Sequence, residues 1–314
     1  MSNASGRYSR QSFLGTDSGE KIRTCMVGIV GLGGGGSHIV QQLGHLGFRR
    51  FALFDPDRVE LSNLNRMVGA TLEDVRERVL KIEVARRLLN GLQDGPEISA
   101  WPCRWQSRPE VLRGCDIIFG CVDGFAERRE LETCARRYLI PYIDIGLDVH
   151  VVGNEPPRMA GQVIVSMPGG PCMTCLGFLS DKALADEAGR YGEAGPSPQV
   201  VWANGVLAST AVGLALDLLT DWTGALRGPV YAVLRRQPGY RLAARSIAVC
   251  RHYPVPALPS AERWGSSVRA TLRFSVSVLG VGLYAPMSAA DKKLEGCSVN
   301  PLDLPANDFL CGRA

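Results

Sequence analysis

The apolar positions of this chain fall into two alternating rhythms. Short, nearly unbroken apolar runs recur as "TCMVGIV" (24–30), "RFALFD" (50–55), "EISAWPC" (97–103), "CDIIFGCVD" (115–123) and "PYIDIGL" (141–147), and they read as strands. Between them lie stretches of helical period. One runs from about Gly35 to Gly47. A second, "LEDVRERVLKIEVARRLLN" (72–90), sets Val75, Val79, Ile82, Val84, Leu88 and Leu89 on one face and predicts a single amphipathic helix closed near Gly91. A third is "AERRELETCARRYL" (126–139). Strand–helix alternation at this spacing predicts an α/β fold: a Rossmann-like, doubly wound, mostly parallel sheet with helices on both faces.

From Val149 onward the rhythm changes. "VHVVG", "MAGQVIVSM", "GPVYAVL" and "GYRLAARSIAV" read as antiparallel strands that extend the sheet, with a long apolar helix over 199–220 among them. The Pro-rich "YPVPALPS" closes the body near residue 255. Residues 256–314 form a C-terminal extension in which "VRATLRFSVSVLGVGLYA" alone has strand character, and no role is read from it.

Bulk composition narrows the class. The 314 residues are 46% hydrophobic and 21% charged, as expected of a soluble globular protein, and the formal net charge of +4 gives little support to a nucleic-acid partner. Ten cysteines and an N-terminus without an apolar signal core point to a reducing, cytoplasmic setting. Residues 200–219 have the length of a membrane span but carry Asn204, Ser209, Thr210 and Asp217, with no basic flank or aromatic belt. They read as a helix buried in the core or at a dimer interface, with no membrane.

Chemistry enters at "VGIVGLGGGGSHIVQQL" (27–43). Gly31, Gly33, Gly34 and Gly36 follow the first strand directly and open a helix. Glycine permits positive φ and removes side chains that would block a phosphate, and the helix N-terminus supplies free N–H groups and the positive end of a dipole. Asp55 ends the second strand, where a carboxylate can accept from ribose hydroxyls. So far a nicotinamide dehydrogenase fits as well. "DPDRVELSNLNR" (55–66) then places Asp57, Asn63 and Arg66 at the carboxyl edge of the sheet, followed by Lys81 in a helix and Asp123 after the fourth strand. Two fixed cations and a carboxylate suit charge developing on phosphates: Arg66 and Lys81 to neutralise a triphosphate, Asp123 to hold Mg²⁺. Taken singly, each has a plainer role, as surface pair, solvated helix charge or helix cap. His38 and His45, in the first helix, read as packing or surface residues.

"RYSRQ" (7–11), "GLGGGGS" (31–37), "FDPDRVELSNLNR" (54–66), Lys81, "CVDGFAER" (121–128), "PCMTC" (171–175) and the 199–220 helix occur in that order. This arrangement resembles the ThiF/MoeB family, the ubiquitin-activating-enzyme-like adenylyltransferases, over roughly residues 7 to 255. The resemblance implies a dimeric adenylation domain that uses Mg·ATP to activate the C-terminal carboxylate of a ubiquitin-like or sulfur-carrier protein ending in glycines, releasing pyrophosphate. It implies that Asp55 binds the ribose, that Arg66 and Lys81 bind phosphates, that Asp123 organises Mg²⁺, and that Arg10 reaches the ATP of the opposite subunit.

Three positions depart from the family pattern. The loop "LGFLSDKALADEAGRYGEAGPSPQ" (176–199) lacks the cysteine that often accepts the activated acyl group or sulfur, so activation alone, or transfer through another cysteine, is implied. The structural zinc site of two C-x-x-C pairs is incomplete: Cys172 and Cys175 supply one pair, while Cys250 is followed by Tyr253 where the fourth thiolate would stand and His252 offers a substitute. Gly124 stands where an asparagine usually follows the aspartate. Alternatives remain: adenylation of a ribosomal peptide or a carboxylated tRNA base, a non-catalytic scaffold subunit of an activating pair, and a dehydrogenase.

Overall fold

In the computed structural model, residues 4–150, 158–189, 199–224, 230–236 and 242–246 are described. The strands are β1 (Met26–Val30), β2 (Arg50–Phe54), β3 (Glu97–Trp101), β4 (Ile117–Gly120), β5 (Tyr142–His150), β6 (Arg158–Ser166), β7 (Val230–Arg236) and β8 (Leu242–Ser246). The helices are α1 (Ala4–Arg7), α2 (Ser18–Thr24), α3 (Gly34–Leu46), α4 (Leu72–Arg76), α5 (Lys81–Leu92), α6 (Pro109–Leu112), α7 (Phe125–Arg137), α8 (Asp181–Gly189) and α9 (Val201–Thr220). One eight-stranded sheet runs in the order β3-β2-β1-β4-β5-β6-β7-β8. The first five strands are parallel and β6, β7 and β8 are added antiparallel. The expected α/β sheet with antiparallel extension is therefore present.

Each central strand is apolar on both faces, as a sheet covered on both sides requires. Odd and even positions feed two different cores. Val27 and Ile29 of β1, Phe51 and Leu53 of β2, Ile117 and Phe119 of β4, and Val163 and Val165 of β6 pack with Ile39, Leu43, Ile82, Leu89, Leu207 and Ala211. On the other face, Ala52, Phe54, Ile118, Tyr142 and Ile164 pack with Trp105, Leu112, Leu131, Ala135 and Leu179. Burying each large side chain contributes about 1.5–3 kcal/mol, so a slip of one residue in any central strand would exchange the cores at prohibitive cost.

The single helix expected over 72–90 is two helices. Thr71 and Asp74 cap α4 reciprocally, and α4 ends at Arg76. The backbone then turns through Arg78 at φ 50° and pairs with the segment after β2: Arg58 bridges Leu80, and the Val59 N–H donates to the Val79 carbonyl. Helical periodicity was continuous across the break because Val75 and Val79 cover a small satellite core of Val59, Met67 and Val84. Only the tertiary pairing interrupts the helix.

Helix α9 is apolar and long enough to cross a membrane by length and composition. Leu207, Ala208, Ala211, Val212 and Ala215 lie in the main core and Ala203 is buried, while Val201 and Trp202 are exposed. The extension over 256–314, together with Cys250 and His252, lies outside the described residues.

Candidate nucleotide site

The strand order reverses between β1 and β4, and open α/β sheets bind ligands beyond their carboxyl edge at such a point. A cavity of about 260 Å³ lies there. Its wall is built from residues that follow four parallel strands, Gly31 after β1, Asp55 after β2, Cys103 after β3 and Asp123 after β4, together with Ile145 within β5. Of the ten nucleotide-binding residues expected from sequence, nine line it: Gly31, Gly33, Gly34, Asp55, Asp57, Asn63, Arg66, Lys81 and Asp123.

The tenth, Gly36, does not line the cavity, and its role is corrected. A Cβ there would stand 1.9 Å from the Gly31 carbonyl oxygen, so Gly36 exists to let α3 begin against the strand it has just left. Gly34 is similar, with Asn204 of α9 2.6 Å from a hypothetical Cβ. Gly33, the N-cap of α3, is different: a Cβ would meet nothing within 4 Å and would protrude into open space. Gly33 thus leaves the N-terminus of α3 open to the cavity, where free backbone N–H groups can receive an anion.

Asp55 is buried, 4% exposed, and its two carboxylate oxygens accept from the N–H groups of Leu32 (2.7 Å) and Asp57 (2.8 Å). It therefore fixes the glycine turn as well as facing the cavity. Burial pushes its pKa up, with the nearby Lys81 charge opposing. Lys81 is the first residue of α5. The helix break described above brings it there, with its N–H donating to the Asp57 carbonyl and its Nζ 2.8 Å from Asp57 Oδ2. Asp57, expected to contact the nucleotide, is committed to Lys81.

A polar chain crosses the mouth of the cavity. Arg66 donates to the carbonyl of Ser62 (2.6 Å) and to Asn65 Oδ1 (3.0 Å), and forms no ion pair among the described residues. Asn65 donates to the Gln199 carbonyl (3.0 Å), and Gln199 Nε2 donates to Asp123 Oδ1 (3.3 Å). Asn63 is buried and accepts from the Glu60 N–H, so it holds the turn that presents Arg66. Sequence reading missed Gln199 because it lies between a loop and α9, far from any motif, and only folding brings it to Asp123.

Arg128 was also missed as a site residue. It lines the cavity, 5% exposed, donates to Asp144 Oδ1 and to the Ile145 carbonyl (3.0 Å), and Tyr142 donates to the other Asp144 oxygen (2.8 Å). Burial alone would lower the Arg128 pKa; the Asp144 carboxylate outweighs it and the group is held charged. Gly124 finds its reason in Glu187 of α8. The Glu187 carboxylate accepts from the N–H groups of Phe125 (2.8 Å) and Ala126 (2.9 Å), capping α7, and a Cβ on Gly124 would crowd it at 3.1 Å.

Other expected residues lie elsewhere. Arg10 is exposed and is not part of this cavity. Cys172 and Cys175 have their sulfurs 3.5 Å apart, close enough to share one metal ion, but no group of three or more ligating side chains occurs among the described residues. His38 packs against α9 near Gly205 with its Nε2 unpartnered, burial lowering its pKa, and His45 is exposed. Neither histidine lines the cavity.

Residues 7–239 match the ThiF family. A Thermus thermophilus sulfur carrier protein adenylyltransferase is 34% identical over 181 residues, covering 54% of this chain and 63% of that protein. The Yarrowia lipolytica adenylyltransferase and sulfurtransferase UBA4 is 30% identical over 223 residues, covering 68% of this chain and 52% of that one. The chain thus spans less than two thirds of the length of these relatives. Among solved structures, E. coli MccB with MccA superposes with a TM-score of 0.62 at 19% identity, over 81% of this chain and 74% of that chain, which establishes the shared fold.

Proposed function

The chain belongs to the ThiF family, and from that premise we propose that it is an ATP-dependent adenylyltransferase that activates the C-terminal carboxylate of a small ubiquitin-like or sulfur-carrier protein. The observation that carries this reading is the convergence of Gly33, Arg66, Lys81 and Asp123 on one cavity at the carboxyl edge of the sheet. The acceptor carboxylate attacks the α-phosphorus of ATP, an acyl–adenylate bond forms, and pyrophosphate leaves with the electron pair of the α–β bridge. The nucleophile is already ionised at neutral pH, so no general base is needed, in keeping with a cavity that no histidine lines among the described residues. What the reaction needs is charge neutralisation and alignment.

In this reading the α3 N-terminus and Gly33 receive phosphate oxygens, and Arg66 and Lys81 neutralise the triphosphate and the departing pyrophosphate. Asp123 would hold Mg²⁺, which would supply further neutralisation on the phosphates. Asp55 accepts from the ribose, and Arg10 serves the cavity of a partner copy in a cytoplasmic homodimer. The segment 7–255 is the adenylation domain and 256–314 an extension. Cys172 and Cys175 would contribute two ligands to a zinc ion with Cys250. A second acceptor class, a peptide carboxylate, is kept because the solved neighbour MccB was crystallised with MccA.

The test is ATP–pyrophosphate exchange with Mg²⁺, with and without candidate small proteins ending in Gly-Gly, beside Asp123→Ala. Exchange that depends on one candidate and disappears in the variant supports the proposal. Absence of exchange with every candidate, despite ATP binding, turns the reading to a peptide carboxylate.

A further inference from the structure

Helix α7 starts without a cap of its own. Its N-cap residue, Gly124, has the extended backbone of a capping position, φ −84° and ψ 142°, but no side chain to accept from the first turn. Glu187 supplies the acceptor from α8, 62 residues beyond Phe125. Its Oε1 accepts from the Phe125 N–H at 2.8 Å and its Oε2 from the Ala126 N–H at 2.9 Å. A carboxylate at that end of α7 also meets the positive end of the helix dipole. The chain between β6 and α8 brings Glu187 there by gripping α7 along its length. Arg136, in the last turn of α7, donates to Ser166 Oγ (3.1 Å) and to the carbonyls of Met167 (3.0 Å) and Gly170 (2.7 Å). Glu132 accepts from the Met173 N–H (2.8 Å), and the rings of Phe125 and Phe178 lie 5.6 Å apart.

Asp123 lies two residues before the first N–H that Glu187 holds. It is exposed, and its carboxylate accepts from Gln199 at 3.3 Å, a long bond that does little to fix it. The direction of that carboxylate therefore depends on how firmly α7 begins. We infer that Glu187 is a positioning residue for the cation side of the cavity: by fastening the first turn of α7 it sets where Asp123 points. The bare N-cap is the other half of the arrangement, because a Cβ on Gly124 would stand 3.1 Å from Glu187 Oε1. Glu187 does not line the cavity and acts through α7. This inference rests on the reading of Asp123 as the Mg²⁺-holding carboxylate proposed above.

Calorimetry of the full-length protein with ATP, with and without Mg²⁺, measures how much the ion tightens nucleotide binding. Glu187→Ala lowers ATP affinity about tenfold with Mg²⁺ present, the lower end of what loss of a group orienting a metal ligand costs. Affinity without the ion stays near that of wild type. Hydrogen exchange reads the same clasp with no ligand: the Phe125 and Ala126 amides lose protection in Glu187→Ala. Asparagine at an N-cap accepts from the second or third helical N–H. Gly124→Asn in the Glu187→Ala background therefore restores protection in the first turn and, with it, most of the Mg²⁺-dependent affinity. In the wild-type background Gly124→Asn brings no gain, because its Cβ meets Glu187. Unchanged affinity in Glu187→Ala overturns the proposal, and so does an equal loss with and without Mg²⁺. Protection that returns in the double variant without the affinity also overturns it, since Glu187 would then not act through α7. The expected pattern of affinities, with no pyrophosphate exchange toward any acceptor, upholds the positioning role and sinks the adenylyl-transfer reading instead.

Discussion

Lys81 Nζ stands 2.8 Å from the Asp57 carboxylate, with the lysine side chain 12% exposed and the aspartate 61% exposed. The pair lies at the cavity wall, and backbone pairing on both sides fixes where Lys81 enters it. Exposure of Asp57 means the pair adds little to stability, about 0–1 kcal/mol. Its worth is positional: Asp57 holds an ammonium where a phosphate would arrive. Lys81→Ala is expected to reduce pyrophosphate exchange by about 100-fold, as loss of one preorganised charge does elsewhere, with a melting temperature close to wild type. Asp57→Asn is expected to reduce exchange less, because the lysine remains. Equal losses in the two variants would show that Asp57 itself meets the nucleotide.

The glycines separate into two kinds, and substitution tells them apart. Gly36→Ala puts a methyl 1.9 Å from the Gly31 carbonyl, a collision between backbone elements that no side-chain movement relieves. It is expected to cost more than 3 kcal/mol and to yield little soluble protein. Gly33→Ala meets nothing within 4 Å, but a ψ of −142° at φ −72° lies outside the regions alanine favours. It is expected to lose about 1–2 kcal/mol of stability, less than Gly36→Ala, and to lose ATP affinity by tenfold or more, read by calorimetry. A Gly33→Ala protein that binds ATP normally would remove the phosphate from that helix end.

Arg128, which lines the cavity, forms a buried network with Asp144 and Tyr142. Removing one member of a buried charge pair leaves the other uncompensated and costs about 3–5 kcal/mol. Arg128→Met is therefore expected to lower the melting temperature strongly, whereas the double variant Arg128→Met with Asp144→Leu recovers part of that loss. Additive losses in thermal denaturation would contradict the pairing.

The strands, the sheet class and nine of the ten residues expected at the site, which line the cavity, were legible because they depend on local pattern: apolar runs, glycines at a strand–helix turn, charges at strand ends. What escaped was set by contacts distant in sequence. The break at 77–80 exists because Leu80 pairs with Arg58, which no periodicity records. Gln199 meets Asp123 and Glu187 caps α7 across gaps that only the folded chain closes. Gly36 was misread as a phosphate-facing glycine for the same reason: spacing places a glycine at a turn but does not say which neighbour demands it.

Asp74 links the helix break to pH. It accepts from the Thr71 N–H (2.8 Å) and from Arg87 of α5 at 2.7 Å, so one carboxylate both caps α4 and ties it to the helix that begins with Lys81. The Arg87 and Thr71 hydrogen bonds hold its pKa down at about 2. A carboxylate depressed on folding stabilises the fold above its unfolded pKa, about 3.9, and that contribution is lost as pH falls from there toward 2. Asp74→Asn is therefore expected to destabilise by roughly 2 kcal/mol at neutral pH, in the range of hydrogen bonds to charged groups. The difference between variant and wild type should shrink as pH is lowered from 4 to 2. Urea denaturation at a series of pH values reads this directly. A difference that stays constant down to pH 2 would show that Asp74 acts through shape at the α4 cap and not through its charge. Exchange activity in Asp74→Asn at neutral pH should also fall, because Lys81 loses the tie that sets where α5 starts.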